Sequence, residues 1–299
     1  LSAAACATTW QSSHTAVTPV QAQDSYYVKG HNAVAARAAE RNPAHAKNVI
    51  LFIGDGMGIS TITAARIYAG QMKGLDGESY QLAMEKLPYS AFSKTYTHDS
   101  QVADSAPTAV AMTTGVKSYN GSLGVTQAAN IKDCATAKGN GTTSLWEIAE
   151  DAGLATGVIS TARVTHATPA ATYAETTERD WESDADVSAA GKAAGCVDIA
   201  SQFTAWQGAH GNGFDVVLSG GRSGFLPNTM TDPEYANQKG RRLDGRNLLD
   251  EWKSAAPNRT TAIDRAGFQA FDWNSDGQIL ALFEPSHMQY ELDRAKDGK

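Results

Sequence analysis

The sequence predicts an α/β fold with a doubly wound, mostly parallel central sheet flanked by helices. Continuous apolar runs of strand length recur along the chain, which is typical of parallel strands buried on both faces. Segments with helical apolar spacing alternate with these runs, as expected when crossover helices connect the strands. No internal repeat or linker-like charge run divides the chain, so we predict one domain with long insertions.

The elements follow in order along the chain. The first is a helix over 24–42, capped by Asp24 or Ser25, and the second is a buried strand over 48–53. Further helices are predicted over 58–72, 107–114, 144–152 and 245–254. Further extended segments are predicted over 90–97, 156–160, 214–221 and 279–283.

Composition excludes several classes of protein. The chain has 25 Lys and Arg against 32 Asp and Glu, a formal net charge of −7, which argues against nucleic acid as a specific partner. Hydrophobic residues make up 42% of the 299 residues, enough for a packed core and too many for a disordered chain. No apolar run reaches 18 residues, so no transmembrane helix is predicted.

The N-terminal stretch, residues 1–23, reads as the remnant of an export signal followed by a tail. Small apolar residues precede Cys6, as at a bacterial lipoprotein cleavage site, which predicts an exported, periplasmic or cell-surface protein with a lipid anchor at Cys6. The alternative is a frayed, Ala-rich tail. In an oxidising compartment Cys134 and Cys196 would pair; otherwise they are two buried thiols.

Three clusters carry candidate chemistry at the ends of predicted elements. Asp55, in a Gly-Asp-Gly turn after the first strand, is a hard oxygen ligand, although Asp-Gly is also common turn chemistry. Ser105 precedes a helix opened by Pro107 and is either a helix cap or a nucleophile at an anion-binding N-terminus.

The third cluster follows the strand at 156–160. His166 and Thr168 are two residues apart, so in an extended segment their side chains point the same way. Arg179 follows shortly, and its guanidinium could hold two oxygens of a phosphoryl group. A lone arginine is more often a surface ion-pair partner, so this interpretation depends on the other two clusters.

Together these clusters resemble the alkaline phosphatase family, in particular its vertebrate and marine-bacterial branch. The matching stretches include KNVILFIGDGMG (47–58), VADSAPTAVAMTTGVKSYNG (102–121), THATPAATYAETTERDWESDAD (165–186) and LFEPSHMQYE (282–291). The resemblance runs from about residue 25 to the C-terminus. It implies a hydrolase that cleaves phosphate monoesters, releases inorganic phosphate, and uses two Zn2+ ions and one Mg2+ ion.

The resemblance also implies residue roles. Asp55 would bridge a zinc ion and the magnesium ion, and Thr168 would be a magnesium ligand. Ser105 would be the metal-bound nucleophile that becomes phosphoserine. Asp104 would orient Arg179, which would bind the phosphate.

Further expectations come from the same resemblance. His166 would lie close to the phosphate rather than bind a metal directly, and Cys134 and Cys196 would form a disulfide. Residues 24–46 would form an N-terminal arm that embraces the partner subunit of a homodimer. Residues 47–299 would be the N-terminal part of the catalytic domain.

Part of the expected metal cage is absent from the sequence. The ligand groups Asp-x-x-x-His and Asp-His, and a Val-Glu-Gly segment, do not occur among its residues. The sequence therefore predicts a C-terminally truncated enzyme of impaired activity. The alternatives are an inactive phosphate- or metal-binding fragment, and a phosphodiesterase or sulfatase of the same superfamily, whose nucleophile is usually Thr or a modified Cys.

Calcium (Ca2+) has two candidate positions. Residues 272–279 match the start of an EF-hand loop, but Phe283 occupies the place of the closing Glu, which favours a polar turn. The family resemblance implies a different site made of Glu234, the Phe283 carbonyl and Glu284, whose last carboxylate would lie beyond Lys299.

Overall fold

The computed structural model describes residues 18–38, 46–87 and 89–297. Its ten helices in these ranges are α1 (Ser25–Ala38), α2 (Ile59–Gln71), α3 (Ser105–Thr114), α4 (Leu145–Asp151), α5 (Ala167–Ala170), α6 (Ala189–Ala193), α7 (Ile199–Ala209), α8 (Leu248–Ser254), α9 (Arg265–Ala270) and α10 (Arg294–Asp297). The four strands are β1 (Gly157–Arg163), β2 (Val216–Gly220), β3 (Arg259–Ala262) and β4 (Gln278–Leu282). Within the described residues we find no helix whose length and apolarity would let it span a bilayer.

The sheet is parallel throughout, in the order β1-β2-β4-β3. Val158 of β1 lies beside Val217 of β2, which lies beside Leu280 of β4. Parallel neighbours require crossover connections, and helices lie between the strands along the chain, as the alternating pattern predicts. The carboxyl ends of all four strands therefore meet at one edge, where ligand sites of such sheets form.

The two faces of the sheet are covered unequally. Val158, Val217 and Leu280 face a large core built with residues of α3, α7 and α8, including Phe203 and Trp252, which are fully buried. On the opposite face a smaller cluster covers β3 and β4, whereas Ile159 of β1 is 73% exposed. The second face is thus open beside β1, the edge strand.

Local sequence explains where several helices begin. The side chains of Asp104, Ser144 and Asp198 each accept a hydrogen bond from a backbone N–H in the first turn of the following helix. Such caps satisfy donors that the helix itself leaves free. Asp24 does the same for α1, because its carboxylate accepts from the N–H groups of Tyr26 and Tyr27, which decides between the two predicted caps.

Two predicted extended segments are wrong. Residues 48–53 and 90–97 form no strand, and Val49, Phe52 and Phe92 are 85%, 90% and 96% exposed. The apolar run at 48–53 favours burial, but a strand also needs hydrogen-bonded neighbours, and this segment does not join the edge of β1. Conversely, β3 was not predicted from the sequence, because its four residues, Arg-Thr-Thr-Ala, form no apolar run.

Two sets of long-range contacts, those of Gln21 and the disulfide bond, connect surface segments to the rest of the fold. Gln21 donates to the carbonyls of Thr114 and Thr143, which holds the start of α1 against the end of α3. Cys134 and Cys196 are disulfide-bonded, as the resemblance implies. Cys6 and residues 39–42 of the predicted first helix lie outside the described residues.

The buried Glu150 yields a pH-dependent prediction. Burial raises the pKa of Glu150, and the Asp215 carboxylate raises it further. The hydrogen bond that the Thr156 hydroxyl donates to Glu150 lowers this pKa, but the net shift is upward. Since the folded-state pKa lies above the unfolded one, stability falls as pH rises from the unfolded-state pKa through the folded-state pKa. Glu150→Gln should remove this loss, so its melting temperature should exceed that of the wild type by more at pH 8 than at pH 5.

Thermal melts of both proteins at the two pH values check this expectation. The exposed Glu251→Gln serves as the matched control and should shift the melting temperature equally at both. An equal difference at the two pH values for Glu150→Gln would contradict the prediction.

Candidate active site

Ser105 is the first residue of α3, at the carboxyl edge of the sheet. The Asp104 carboxylate caps this helix by accepting from the Ala106 N–H at 2.6 Å, and the Asp104 N–H donates to the Asn120 side chain at 3.2 Å. Ser105 remains half-buried, so its hydroxyl is held at a helix N-terminus without being sealed from solvent. The interpretation of Ser105 as the helix cap is therefore wrong, because Asp104 is the cap and the Ser105 hydroxyl makes no capping bond.

Arg179 brings the separate clusters together. Its Nη1 donates to Ser105 Oγ at 2.9 Å and lies 3.1 Å from Asp104 Oδ1, and its Nη2 lies 3.1 Å from His166 Nε2. The Arg179 backbone N–H donates to the Gly121 carbonyl at 2.7 Å, which fixes the base of the side chain. The sequence-predicted serine, arginine, carboxylate and imidazole therefore share one site.

The surroundings of the two histidines of this site lower the pKa of each ring. Burial and the positive charges of Arg179 and Arg163 lower the pKa of His166. Burial and Arg163 likewise lower the pKa of His287, whose ring centroid lies 5.2 Å from that of His166. Because a guanidinium only donates, His166 Nε2 accepts from Arg179 and its ring hydrogen is on Nδ1.

The side chains of Asp55 and Thr168, the two expected oxygen ligands, are in contact. The Thr168 hydroxyl donates to Asp55 Oδ2 at 2.8 Å, across 113 residues of chain. Thr168 is in α5, directly after β1 and His166, so Asp55 is tied to the same edge of the sheet. Carboxylate and hydroxyl oxygens are hard donors and fit Mg2+.

The expected zinc cage does not fit the described part of the chain. There, one group of three or more His, Cys, Asp or Glu side chains has its ligand atoms close enough to hold a metal ion, and it does not include Asp55 or His166. Zinc in catalytic sites takes three protein ligands. Asp55 alone does not provide them.

That one group contains two of the predicted calcium residues. Carboxylate oxygens of Glu234, Glu284 and Asp297 lie within 4.8 Å of one another. Glu234 also accepts from Arg222 at 3.0 Å, and Glu284 from the Tyr235 hydroxyl at 3.0 Å. Phe283 immediately precedes Glu284, and Asp297 supplies a carboxylate that the sequence analysis did not assign.

The EF-hand-like segment is a polar turn. Asp272 accepts from the Asn274 N–H at 3.0 Å and its carbonyl accepts from the Ser275 hydroxyl at 2.6 Å. The segment leads directly into strand β4, where an EF-hand would continue to its second helix.

Sequence reasoning missed three residues that border the site. Arg163 ends β1, His287 follows β4, and Glu182 lies three residues after Arg179. The Glu182 carboxylate accepts from Arg163 Nε at 2.7 Å and from Arg163 Nη2 at 2.6 Å. Burial acts to raise the pKa of Glu182, but the hydrogen bonds from Arg163 and Thr165 outweigh it and lower that pKa. Charged residues at strand carboxyl ends were the available signal.

The fold and this arrangement define an α/β protein in which a serine at a helix N-terminus contacts an arginine. The alkaline phosphatase family profile matches residues 46–299, and the chain belongs to that family. The human tissue-nonspecific alkaline phosphatase is 44% identical over 256 residues, covering 83% of this chain and 48% of the relative. The Gadus morhua alkaline phosphatase is 42% identical over 261 residues, covering 86% of this chain and 54% of the relative.

Solved structures agree with the family assignment. The alkaline phosphatase of a psychrophilic Shewanella species matches with a TM-score of 0.56 at 25% identity, covering 81% of this chain and 47% of that one. The Thermus thermophilus alkaline phosphatase matches with a TM-score of 0.55 at 26% identity, covering 80% and 40%. The chain thus spans about half the length of the curated relatives it matches.

The double use of Asp104 can be tested by two substitutions. Asp104→Asn keeps an oxygen that accepts from the Ala106 N–H, whereas Asp104→Ala removes it. We expect the Ala variant to be less stable than the Asn variant by about 1 kcal/mol, the usual value of a helix cap. Urea denaturation measures the difference, and equal stabilities would contradict a capping role for Asp104.

Proposed function

We propose that this chain carries the nucleophile and phosphate-binding part of an alkaline phosphatase, which hydrolyses phosphate monoesters through phosphoserine at Ser105. The observation that carries this proposal is the hydrogen bond from Arg179 Nη1 to Ser105 Oγ, with Asp104 beside it. A guanidinium in this place can donate to non-bridging oxygens of a phosphoryl group while the serine oxygen faces phosphorus.

The reaction has two displacements. In the first, Ser105 Oγ attacks phosphorus, a bond forms between Oγ and phosphorus, and the ester bond to the leaving group breaks. The proton lost by Ser105 passes through solvent to the leaving oxygen, which departs as the alcohol. In the second, water attacks the phosphoserine, inorganic phosphate leaves, and the Ser105 hydroxyl is restored. The N-terminus of α3 favours the added negative charge in both steps, because the positive end of the helix dipole lies there.

Asp55 and Thr168 are the residues that would hold Mg2+. Their oxygens already lie in hydrogen-bond contact, and both belong to the edge that carries Ser105. A bound divalent cation would supply positive charge close to the phosphate. The two Zn2+ ions have no equivalent group of ligands in the described residues, so no step is assigned to them.

The lack of a group of zinc ligands near Ser105 among the described residues favours a second candidate function. A chain with Ser105 and Arg179 in place, but without three zinc ligands near them among its described residues, would bind inorganic phosphate without turnover. The diesterase and sulfatase alternatives gain no support from the site, which presents an unmodified serine.

The calcium expectation becomes a proposal for the carboxylates of Glu234, Glu284 and Asp297. We propose that Glu234 and Glu284, with the Phe283 carbonyl and Asp297, bind Ca2+, which prefers six to eight oxygen ligands. The buried Arg222 that contacts Glu234 also pairs with Asp232, so this loop is held in place without the ion.

Localisation and assembly remain proposals based on the family. We propose export to the periplasm or cell surface, with a lipid anchor on Cys6, and a homodimer to which residues 24–46 contribute. Val34 of α1 is 67% exposed and Val28 is 39% exposed, which provides apolar surface for a partner subunit. The contacts of Gln21 hold the base of this helix while that surface faces outward.

Hydrolysis of p-nitrophenyl phosphate with added Zn2+ and Mg2+ tests the principal proposal. We expect turnover that exceeds cleavage of bis(p-nitrophenyl) phosphate, no turnover in Ser105→Ala, and a loss on the order of 10²–10³ in Arg179→Ala. Mass spectrometry after incubation with phosphate at acidic pH should find the phosphoryl group on Ser105. Ser118→Ala is the matched control and should retain activity, because it removes a buried hydroxyl that has no hydrogen-bond partner among the described residues.

The alternatives give different results in the same assay. Phosphate binding without turnover, and without phosphoserine, would replace the enzyme by the phosphate-binding fragment. Preferential cleavage of the diester would favour the phosphodiesterase. Turnover that persists in Ser105→Ala would contradict the assignment of the nucleophile.

Thermal melts with CaCl2 or MgCl2 test the calcium proposal. A hundredfold excess of Ca2+ over its Kd should stabilise the chain by about 2.7 kcal/mol, and the resulting shift should be lost in Asp297→Asn and Glu284→Gln. Asp293→Asn, an acidic position four residues before Asp297 that pairs with Lys296, should keep the shift. A shift retained by both test variants would contradict this site.

A further inference from the structure

A buried carboxylate connects the two segments that hold the guanidinium and the imidazole of the site. Glu182 is 8% exposed and lies three residues after Arg179. It accepts from Arg163 through two nitrogens, at 2.7 and 2.6 Å, and from the Thr165 hydroxyl at 2.6 Å. Thr165 directly precedes His166, so Glu182 ties the Arg179 segment to the His166 segment.

The third nitrogen of Arg163 is directed at His287. Arg163 Nη1 lies 2.6 Å from His287 Nε2. Two features bring the chain after β4 to this position. The Met288 N–H donates to the Thr161 carbonyl of β1 at 2.8 Å, and the Ser286 carbonyl passes so close to Gly220 that a Cβ there would lie 2.0 Å from it.

His287 in turn packs on His166. The two rings meet edge to face, with centroids 5.2 Å apart and an interplanar angle of 73°. His166 Nδ1 is buried and has no hydrogen-bond partner in the described part of the chain, so Nε2 makes the ring's one described hydrogen bond, to Arg179. The orientation of His166 therefore depends on His287 and on the backbone that Glu182 holds through Thr165.

Arg179 is held at both ends of its fork. Nη2 is fixed by His166, while Nη1 faces Asp104 and Ser105. A rotation of His166 would release Nη2 and let the planar guanidinium turn about its own axis. Bidentate recognition of a phosphoryl group requires that plane to be fixed in advance.

We propose that Glu182, acting through Arg163, His287 and His166, is the positioning residue that fixes the plane of the Arg179 guanidinium beside Ser105 for phosphate binding. This inference rests on the proposed function, because it assigns a preorganising role within the same site. Arg163 and Glu182 form an ion pair whose charges offset each other. The pair therefore positions neighbouring side chains of the site and adds little net charge to it.

Affinity for inorganic phosphate, measured by isothermal titration calorimetry on the full chain, is the first test. Glu182→Gln should weaken binding roughly tenfold, equivalent to about 1.4 kcal/mol. Glu251→Gln removes a carboxylate that also receives two nitrogens of one arginine, Arg246, and should leave the affinity unchanged. Arg163→Lys, which keeps the charge and loses the fork, should behave as Glu182→Gln does and replaces it if that variant fails to fold.

A double-mutant cycle separates positioning from general stabilisation. In a His166→Ala background, Glu182→Gln should cause no further loss of phosphate affinity, because the residue through which it acts is gone. Fully additive losses would overturn the proposal, as would unchanged affinity in both Glu182→Gln and Arg163→Lys.

The tautomer of His166 provides a readout that needs no phosphate. Long-range ¹H–¹⁵N correlation spectra should show the Nδ1–H form in the wild type, and a mixture of tautomers in Glu182→Gln and His287→Ala. A His166 signal that stays the same in both variants would overturn the positioning role. Absence of phosphate binding by the wild type would instead contradict the proposed function, so the two failures are distinguishable.

Discussion

The orientation of the Arg179 guanidinium is the constraint on which the candidate site depends. Three partners, Asp104, Ser105 and His166, contact its two terminal nitrogens, and the Gly121 carbonyl fixes its backbone. Asp104 also caps α3, so one carboxylate sets both the start of the helix and the direction of the guanidinium. Helix capping and the orientation of the Arg179 guanidinium are thereby coupled at a single residue.

Paired buried charges hold the long loops around this edge of the sheet. Arg222 and Arg242 are fully buried, and each is neutralised by carboxylates, Asp232 for the first and Asp198 for the second. A buried charge without its partner costs several kcal/mol, so each pairing strongly restricts where its loop can lie. The Glu182–Arg163 pair follows the same principle beside Ser105, where the geometry that it restricts belongs to the site.

Prediction from sequence succeeded where the information was local. The helix over 58–72 is α2, and the strand over 279–283 is β4 with a shift of one residue, because apolar spacing and caps act over a few positions. It failed at 48–53, whose apolar residues indicate a buried strand although the segment pairs with no strand here. Strand formation depends on a neighbour that apolar spacing does not encode.

The sequence by itself determined the chemical groups of the site, namely a serine before a helix, an arginine, an imidazole and carboxylates. The tertiary structure alone decided which of these groups contact one another. Ser105 and Arg179 are 74 residues apart, and Arg163 meets His287 across 124 residues. Such contacts follow from the strand order β1-β2-β4 and from the close passage at Gly220, which brings the chain after β4 over β2 to β1. The spacing of residues along the chain does not predict the strand order, because that order arises from packing between whole strands and helices.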